Sequence, residues 1–443
     1  MDFLEHLAVH QSSGQIEVLH FVVNTASILF VPFASYLFGA LLLSLYYGRI
    51  GRLHNDSNAL MFSKEVLDHL ISTKSILFLF GVVPYLTILL GYAQLLQETS
   101  SISVSLLTWG ILSFGLAAAF AASYNSAMKL HSVLEHVPGG SDDVKQFSSE
   151  SGETQRTAGK YAIIFLLVSV ILYVCGTTLA ARPGEWNDAG TVFNVLFSVD
   201  FFIHFVQFVL VSVAIASLGT IFFTFSWQGG REGLSDSYSQ YCRKHALTIA
   251  MVSILAQPLM IGWAVVIATN SEVTGNYFTT AFFALLFLFV AAHFVYGMMK
   301  EFKVSYVGNA FFAFALVIVF MVLQDNYAFS SATRNHSSML AYEFEKYHEG
   351  LLTELGVSLN VVTGEDIWNA KCSACHMFGK KKIGPAYKDV LPKYEGHMDQ
   401  LIAFISNPVK KNPAFPNMPN QGLKPAEVDS IAHYIMKMYK IKQ

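Results

Sequence analysis

Eight long apolar runs dominate the chain, near residues 19–47, 74–96, 102–128, 160–181, 191–226, 245–269, 277–299 and 304–324. Each is long enough to cross a bilayer as a helix, which takes about 20 residues. The fifth is overlong, and its span is expected to begin near Val199 after an interfacial stretch. Pro32, Pro84 and Pro258 fall inside runs, where neighbouring helices can satisfy the backbone groups that a proline frees. After Gln324 the pattern breaks. The stretch DNYAFSSATRNHSSMLAYEFEKYHEGLLTELG is polar, with Glu and Tyr spaced for a surface helix or linker, and a separate soluble domain begins near Val362. The reading is all-α: an eight-helix transmembrane domain over 1–325, a polar linker or helix over 326–361, and a small helical domain over 362–443.

Composition agrees. Of 443 residues, 53% are hydrophobic and 13% charged, with Phe alone contributing 37; a soluble domain carries about 25% charged residues. A net charge of -3 gives no reason to expect nucleic acid as a partner. The first twenty residues hold no Lys or Arg and no small-residue cleavage site, so the first run is expected to stay in the membrane rather than be removed as a signal peptide.

Positive charge sets the orientation. Arg49, Arg52, Lys64, Lys129, Lys145, Arg156, Arg231, Arg243, Lys244, Lys300 and Lys303 follow spans one, three, five and seven, whereas the opposite side, before the C-terminal domain, holds essentially Arg182. Both the N-terminus and the C-terminal domain are therefore expected outside, which in a Gram-negative bacterium means the periplasmic side of the inner membrane.

Four cysteines are too few for a disulfide scaffold. Cys175, in an apolar run, and Cys242, read as a loop residue, are expected to be ordinary thiols. The other two form Cys372-Ser-Ala-Cys375-His376. Two thiols three positions apart on one turn can add to the two vinyl groups of a haem, and the next residue, His376, then lies beneath the iron. The loop NPVKKNPAFPNMPNQGL offers Met418, stiffened by Pro416 and Pro419, as the second axial ligand; His397 and His433 are the alternatives. This segment closely resembles mono-haem class I cytochromes c. The resemblance implies a first helix, GEDIWNAKCSACH, that carries Trp368 toward Tyr434 of the last helix, and Gly384-Pro385 after the haem-binding turn. Haem c of such domains is attached outside the membrane, in line with the charge-based topology. Lys380-Lys381-Lys382 reads either as a patch steering an acidic partner or as a solvated loop.

Eight spans exceed what an anchor needs, and ionisable residues within spans are functional candidates. His204, in FFIHFVQFVLVSVAIASLG, is the foremost, as an axial ligand of haem b. Its second ligand is expected to be His20, with Met260 and Met321 at similar depth as alternatives. His293 lies deeper and is a candidate for a second haem b with His245 or His69. Asp200 is read as interfacially solvated, and His131 and His136 as solvated loop residues. Carboxylates look nearly absent from the spans, which argues against a proton path through them.

The run LFVPFASYLFGALLLSLYYGRIG and the run around FFIHFVQFVLVSVAIASLG resemble the first and fifth helices of the large subunit of cytochrome bd-type quinol oxidases. The resemblance implies that His204 ligates haem b. The departures are specific. Ser27 stands where the family's span-one His directly precedes a Phe-Leu-Phe-Val-Pro stretch, and the nearest His here is His20, two turns earlier. LTWGILSFGLAAAFAASYNSA lacks the acidic residues of the family's third helix, the quinol-binding loop is reduced to NSEVTGN, and TTAFFALLF lacks the family's Met ligand. These gaps count against quinol oxidation or oxygen reduction by this chain alone. They fit a branch in which a fused cytochrome c replaces quinol as donor or acceptor.

The functional expectation is an electron-transfer subunit of a respiratory oxidoreductase, with one haem c, one or two haems b, other membrane subunits and a periplasmic redox protein as partners. The alternatives are a bd-like terminal oxidase fed by cytochrome c, a quinol dehydrogenase with quinone as partner, and an anchor in which only haem c is redox-active.

Overall fold

The computed structural model describes residues 10–71, 74–134, 141–355, 362–410 and 412–441. The first nine residues and His136 lie outside that set. Among the described residues the chain is helical, without strands. Two compact units emerge: His20–Ala332, and Met1–Leu19 with Thr333–Gln443.

Eight helices are long and apolar enough to cross a membrane. They are α1 (Ser13–His54), α3 (Leu77–Leu95), α4 (Ser103–Leu134), α5 (Asp142–Ala180), α6 (Val199–Phe225), α7 (Asp236–Ile267), α8 (Gly275–Lys300) and α9 (Val304–Ala332); the short α2 (Ser57–Asp68) follows α1. Several outrun the apolar segments that announced them. At 1.5 Å per residue, the 42 residues of α1 extend about 63 Å, twice the ~30 Å hydrocarbon layer. Side-chain oxygens cap starts that hydropathy leaves blurred. Ser198 accepts from the Phe201 amide at 3.1 Å to begin α6, and Ser235 accepts from the Tyr238 amide at 3.2 Å to begin α7. The residues before α6 form a separate short helix, Val192–Leu196.

Pro84 leaves a mark on α3. It has no N–H to offer the preceding turn, and the ladder there widens into a π-helical stretch, Leu77–Val82, in which the Val83 amide reaches the Phe78 carbonyl.

Close approach and buried charge fix the bundle. Gly39 of α1 lies against the backbone of Ser212 in α6, where any Cβ would strike the carbonyl group. Glu65 of α2 is 3% exposed yet fully engaged. It pairs with Arg231 and accepts hydrogen bonds from the Tyr238 hydroxyl at 2.7 Å and the Thr224 hydroxyl at 3.3 Å. A buried carboxylate is tolerated only when satisfied in this way, and here it ties α2, α6 and α7 together. Cys242, expected in a loop, is buried within α7. His131 is half-buried, with its Nδ1 2.9 Å from the Ser148 carbonyl, rather than solvated.

In the second unit, α10 (Arg334–Glu354) belongs with the C-terminal domain. Tyr342 packs onto that domain's core, and Glu345 meets Lys424 at 3.5 Å. The stretch read as linker therefore divides: its start completes α9 and its middle forms α10. The core is built by α11 (Gly364–Ile367), α12 (Tyr387–Val390), α13 (Met398–Ser406) and α14 (Pro425–Ile441), through Ile367, Leu391, Leu401, Val428, Ile431 and Ile435.

Candidate functional site

The CSACH string follows a π turn, Trp368–Cys372, closed by the Ser373 amide on the Trp368 carbonyl at 2.9 Å. The next turn is tight: the amides of Cys375 and His376 both donate to the Cys372 carbonyl, at 3.2 and 3.0 Å. Both thiols are therefore presented from one turn, and both are free. Burial pushes the Cys372 thiol up to about 11, with Cys375 adding to the effect, so at neutral pH it stays a thiol rather than the reactive thiolate.

His376 Nδ1 sits 3.2 Å from the Pro385 carbonyl, and its ring stacks on Tyr387 at 4.9 Å. That bond fixes the tautomer with Nδ1 protonated and leaves the Nε2 lone pair available, the arrangement a metal-ligating imidazole needs. Gly384 makes room for the ring. A Cβ there would lie 2.8 Å from Nδ1 and 2.9 Å from Nε2 of His376. Gly384→Ala is expected to cost ~1–3 kcal/mol through overpacking and to weaken the haem c absorption band. Chemical denaturation followed at that band measures both.

Cys372, Cys375, His376, Gly384, Pro385, Pro416, Met418 and Pro419 line one cleft of about 510 Å³, including space open to solvent. The two thiols, an imidazole with Nε2 available and a thioether form the donor set that covalent haem requires. His397 and His433 are exposed and lie outside the cleft's lining.

A family model described as "Cytochrome c" matches residues 361–439. Cytochrome c-551 of Pseudomonas denitrificans is 37% identical over 81 residues, covering 17% of this chain and 98% of that protein. The chain belongs, through this domain, to the cytochrome c family. Two further relatives agree. Cytochrome c-552 of Hydrogenobacter thermophilus is 35% identical over 71 residues, 15% of this chain and 71% of that protein. Cytochrome c-551 of Azotobacter vinelandii is 32% identical over 78 residues, 17% of this chain and 95% of that protein. A cytochrome c domain implies covalently bound haem c, electron transfer and a redox partner.

Within this cytochrome c domain Trp368 packs on Phe378 at 4.8 Å and Tyr387 at 5.3 Å, beside the haem-binding loop, and Trp368 and Tyr434 both lie against the domain's core. Of the lysine cluster, Lys382 donates to the Ser373 carbonyl at 2.9 Å and Lys381 lies over the Phe415 ring at 4.6 Å, so both brace the loop.

The membrane unit holds a second candidate site. His204, Gln207, Ser27, Met321, Asp325 and Arg182 are among the residues lining a cavity of about 1070 Å³, part of it open. His204 Nδ1 is 2.9 Å from the Asp200 carbonyl and its Nε2 is 3.9 Å from Asp325. Asp200 is 7% exposed and pairs with Arg182 at 2.9 Å, so it is not interfacially solvated as expected. Arg182 also meets Glu185 at 3.2 Å and Glu272 at 3.9 Å. Burial works against the Arg182 guanidinium, but Asp200 and the neighbouring carboxylates outweigh it and raise its pKa. Burial likewise pushes the Glu272 carboxyl up, against the pull of Thr269 and Arg182.

Sequence reasoning missed Asp325, Arg182 and Glu272. Ending span eight at residue 324 hid Asp325, because α9 continues to Ala332 and carries that carboxylate into the cavity. Carboxylates thus converge on one end of the bundle, contrary to the expectation that the spans are nearly free of them.

Of the other candidate ligands, Met321 shares the cavity lining with His204, and His20 and Met260 do not. His20 packs against Phe329 at 5.5 Å, and Ser27, about two turns along α1, lines the cavity instead. Met260 is outside the lining, whereas Met321 is in it. His293 is exposed beside Phe294. His69 stacks on Phe223 at 5.2 Å, and His245 stacks on Tyr241 at 4.2 Å with its Nδ1 3.0 Å from the Tyr47 hydroxyl.

Proposed function

We propose that this chain is the membrane-bound electron-transfer subunit of a respiratory oxidoreductase complex, passing electrons between a periplasmic redox protein, haem c and haem b in the bacterial inner membrane. The observation that carries the reading is the joining, in one chain, of a cytochrome c domain to a membrane unit whose cavity presents an oriented imidazole. Cys372 and Cys375 would hold haem c covalently, with His376 and Met418 as the donors to its iron, and His204 would hold haem b, with Met321 of the same lining as the second donor. His and Met donors suit a haem iron kept low-spin, and a thioether ligand raises its potential relative to a second His. Bound haem supplies one-electron exchange between ferric and ferrous iron. The protein orients the two imidazoles and presents the C-terminal domain to its partner. Lys371, at the rim of the haem c cleft, adds positive charge for an acidic partner. Orientation rests on the distribution of Lys and Arg, which places the C-terminal domain outside.

Pyridine haemochrome spectra of the purified full-length protein test this reading. One haem c and one haem b, with no carbon-monoxide-induced change in the reduced protein, are expected. Haem c alone would reduce the membrane unit to an anchor, and a carbon-monoxide-binding haem b would point to a terminal oxidase. Met418→Ala is expected to lower the haem c midpoint potential while leaving haem b unchanged, as a redox titration at the two absorption bands reads.

A further inference from the structure

The membrane cavity and the cytochrome c domain contain the same local device. His204 and His433 each stand four residues after an aspartate on a helix. Each places Nδ1 2.9 Å from that residue's carbonyl oxygen and 3.4 Å from its carboxylate. The surroundings differ. The His433–Asp429 side chains are 60% and 61% exposed, so water screens the pair. The His204–Asp200 side chains are 25% and 9% exposed. Asp200 is further clamped by Arg182 at 2.9 Å, and Arg182 in turn approaches Glu272 at 3.9 Å, with Glu272 held by the Thr269 hydroxyl at 2.9 Å and the Thr269 amide at 3.2 Å. On the surface the pair is an ordinary helix contact. In the bundle it is a fixed chain of charge, Glu272–Arg182–Asp200–His204, ending on an imidazole whose Nε2 faces the cavity.

We infer that Asp200 is a positioning residue: its backbone carbonyl fixes the tautomer of His204, and its carboxylate, clamped by Arg182 and 3.4 Å from Nδ1, sets how strongly Nε2 donates to a bound iron. This rests on the reading of His204 as a haem b ligand. A carboxylate behind a ligating imidazole strengthens it as a donor, and losing such a partner typically costs about 10–100-fold in metal affinity. The charge chain also makes the two clamp residues act in opposite directions. Removing the Asp200 charge withdraws support from the ferric state and raises the potential. Removing the Arg182 charge leaves Asp200 and Glu272 uncompensated and lowers it. A role in packing alone would shift both the same way or neither.

The test is a spectroelectrochemical titration of the full-length protein, with haem c as the internal reference. Asp200→Asn is expected to raise the haem b midpoint, Arg182→Gln to lower it, and both to leave haem c unmoved. Haem b midpoints that stay put, or move in the same direction, overturn the inference. Should Asp200→Asn lose haem b outright, Asp200→Glu, which restores the charge, is expected to regain it, and failure to do so overturns the inference too. If wild-type protein holds no haem b, or His204→Ala keeps it, the underlying reading fails and the inference goes with it. That result is distinguishable because it appears without touching Asp200 or Arg182.

Discussion

Replacing Cys372 and Cys375 together by alanine is expected to abolish covalent haem c and to leave the C-terminal domain unfolded. The domain's core is small, resting on a dozen buried residues shared among short helices. A domain of this size buries little of its surface and is marginal without a covalent or metal staple. The cleft of about 510 Å³ lies where haem would supply the missing interior, between the CSACH turn and the Pro416–Met418–Pro419 loop. Without haem, Ile383, Pro385, Pro416 and Pro419 face water across that cleft, and the loop that carries Met418 loses what it packs against. Either single substitution leaves one thioether, and these variants are expected to retain a fraction of the haem. Haem-stained gels of membranes report attachment, and limited proteolysis of the full-length protein reports folding. The expected pattern is loss of the haem stain with rapid cleavage beyond Ala332 and survival of the membrane unit. A protease-resistant C-terminal domain in the double variant would show that the helices pack well enough without haem.

How far the sequence reveals this arrangement depends on what kind of signal each part leaves. Spans are written in composition, so all eight helices are visible as apolar runs; their ends are not, because polar turns continue a helix without changing its hydrogen bonding. That is why Asp325 reads as the start of a polar segment and is found within α9. The cleft of the cytochrome c domain is legible because Cys372, Cys375 and His376 fall within five residues and Met418 sits in a proline-rich loop, and all four line it. The membrane cavity is assembled from α1, α3, α5, α6, α7, α8 and α9 and the loops beside them. His204 stands out as an imidazole in an apolar run, but depth alone does not say which face of a helix a partner occupies. His20 and Met321 are equivalent by depth in the sequence, and only the packing of α1 and α9 separates them. Arg182 carries a sign in the sequence, since it is a lone cation on a side otherwise poor in them. Its meaning emerges only when Asp200 and Glu272 are seen against it.

His204→Ala is expected to remove haem b from the purified protein while haem c remains at full stoichiometry. The imidazole is the one nitrogen donor of the cavity whose other ring nitrogen is already committed, to the Asp200 carbonyl at 2.9 Å, so its Nε2 has no equivalent substitute among the lining residues. Met321 alone does not hold the iron, since a single thioether is a weak ligand. The two units form separate compact bodies, so the haem c cleft is not expected to respond. Parallel substitutions sharpen the result. His20→Ala and His293→Ala, which alter an aromatic contact and an exposed position, are expected to keep the haem b band within experimental error. Met321→Leu is expected to keep the band but remove the thioether donor, so that the reduced protein gains a carbon-monoxide difference spectrum. Loss of haem b in His20→Ala with retention in His204→Ala would reverse the assignment and move the site toward the start of α1. Retention in every variant would mean that the cavity at His204 serves something other than haem.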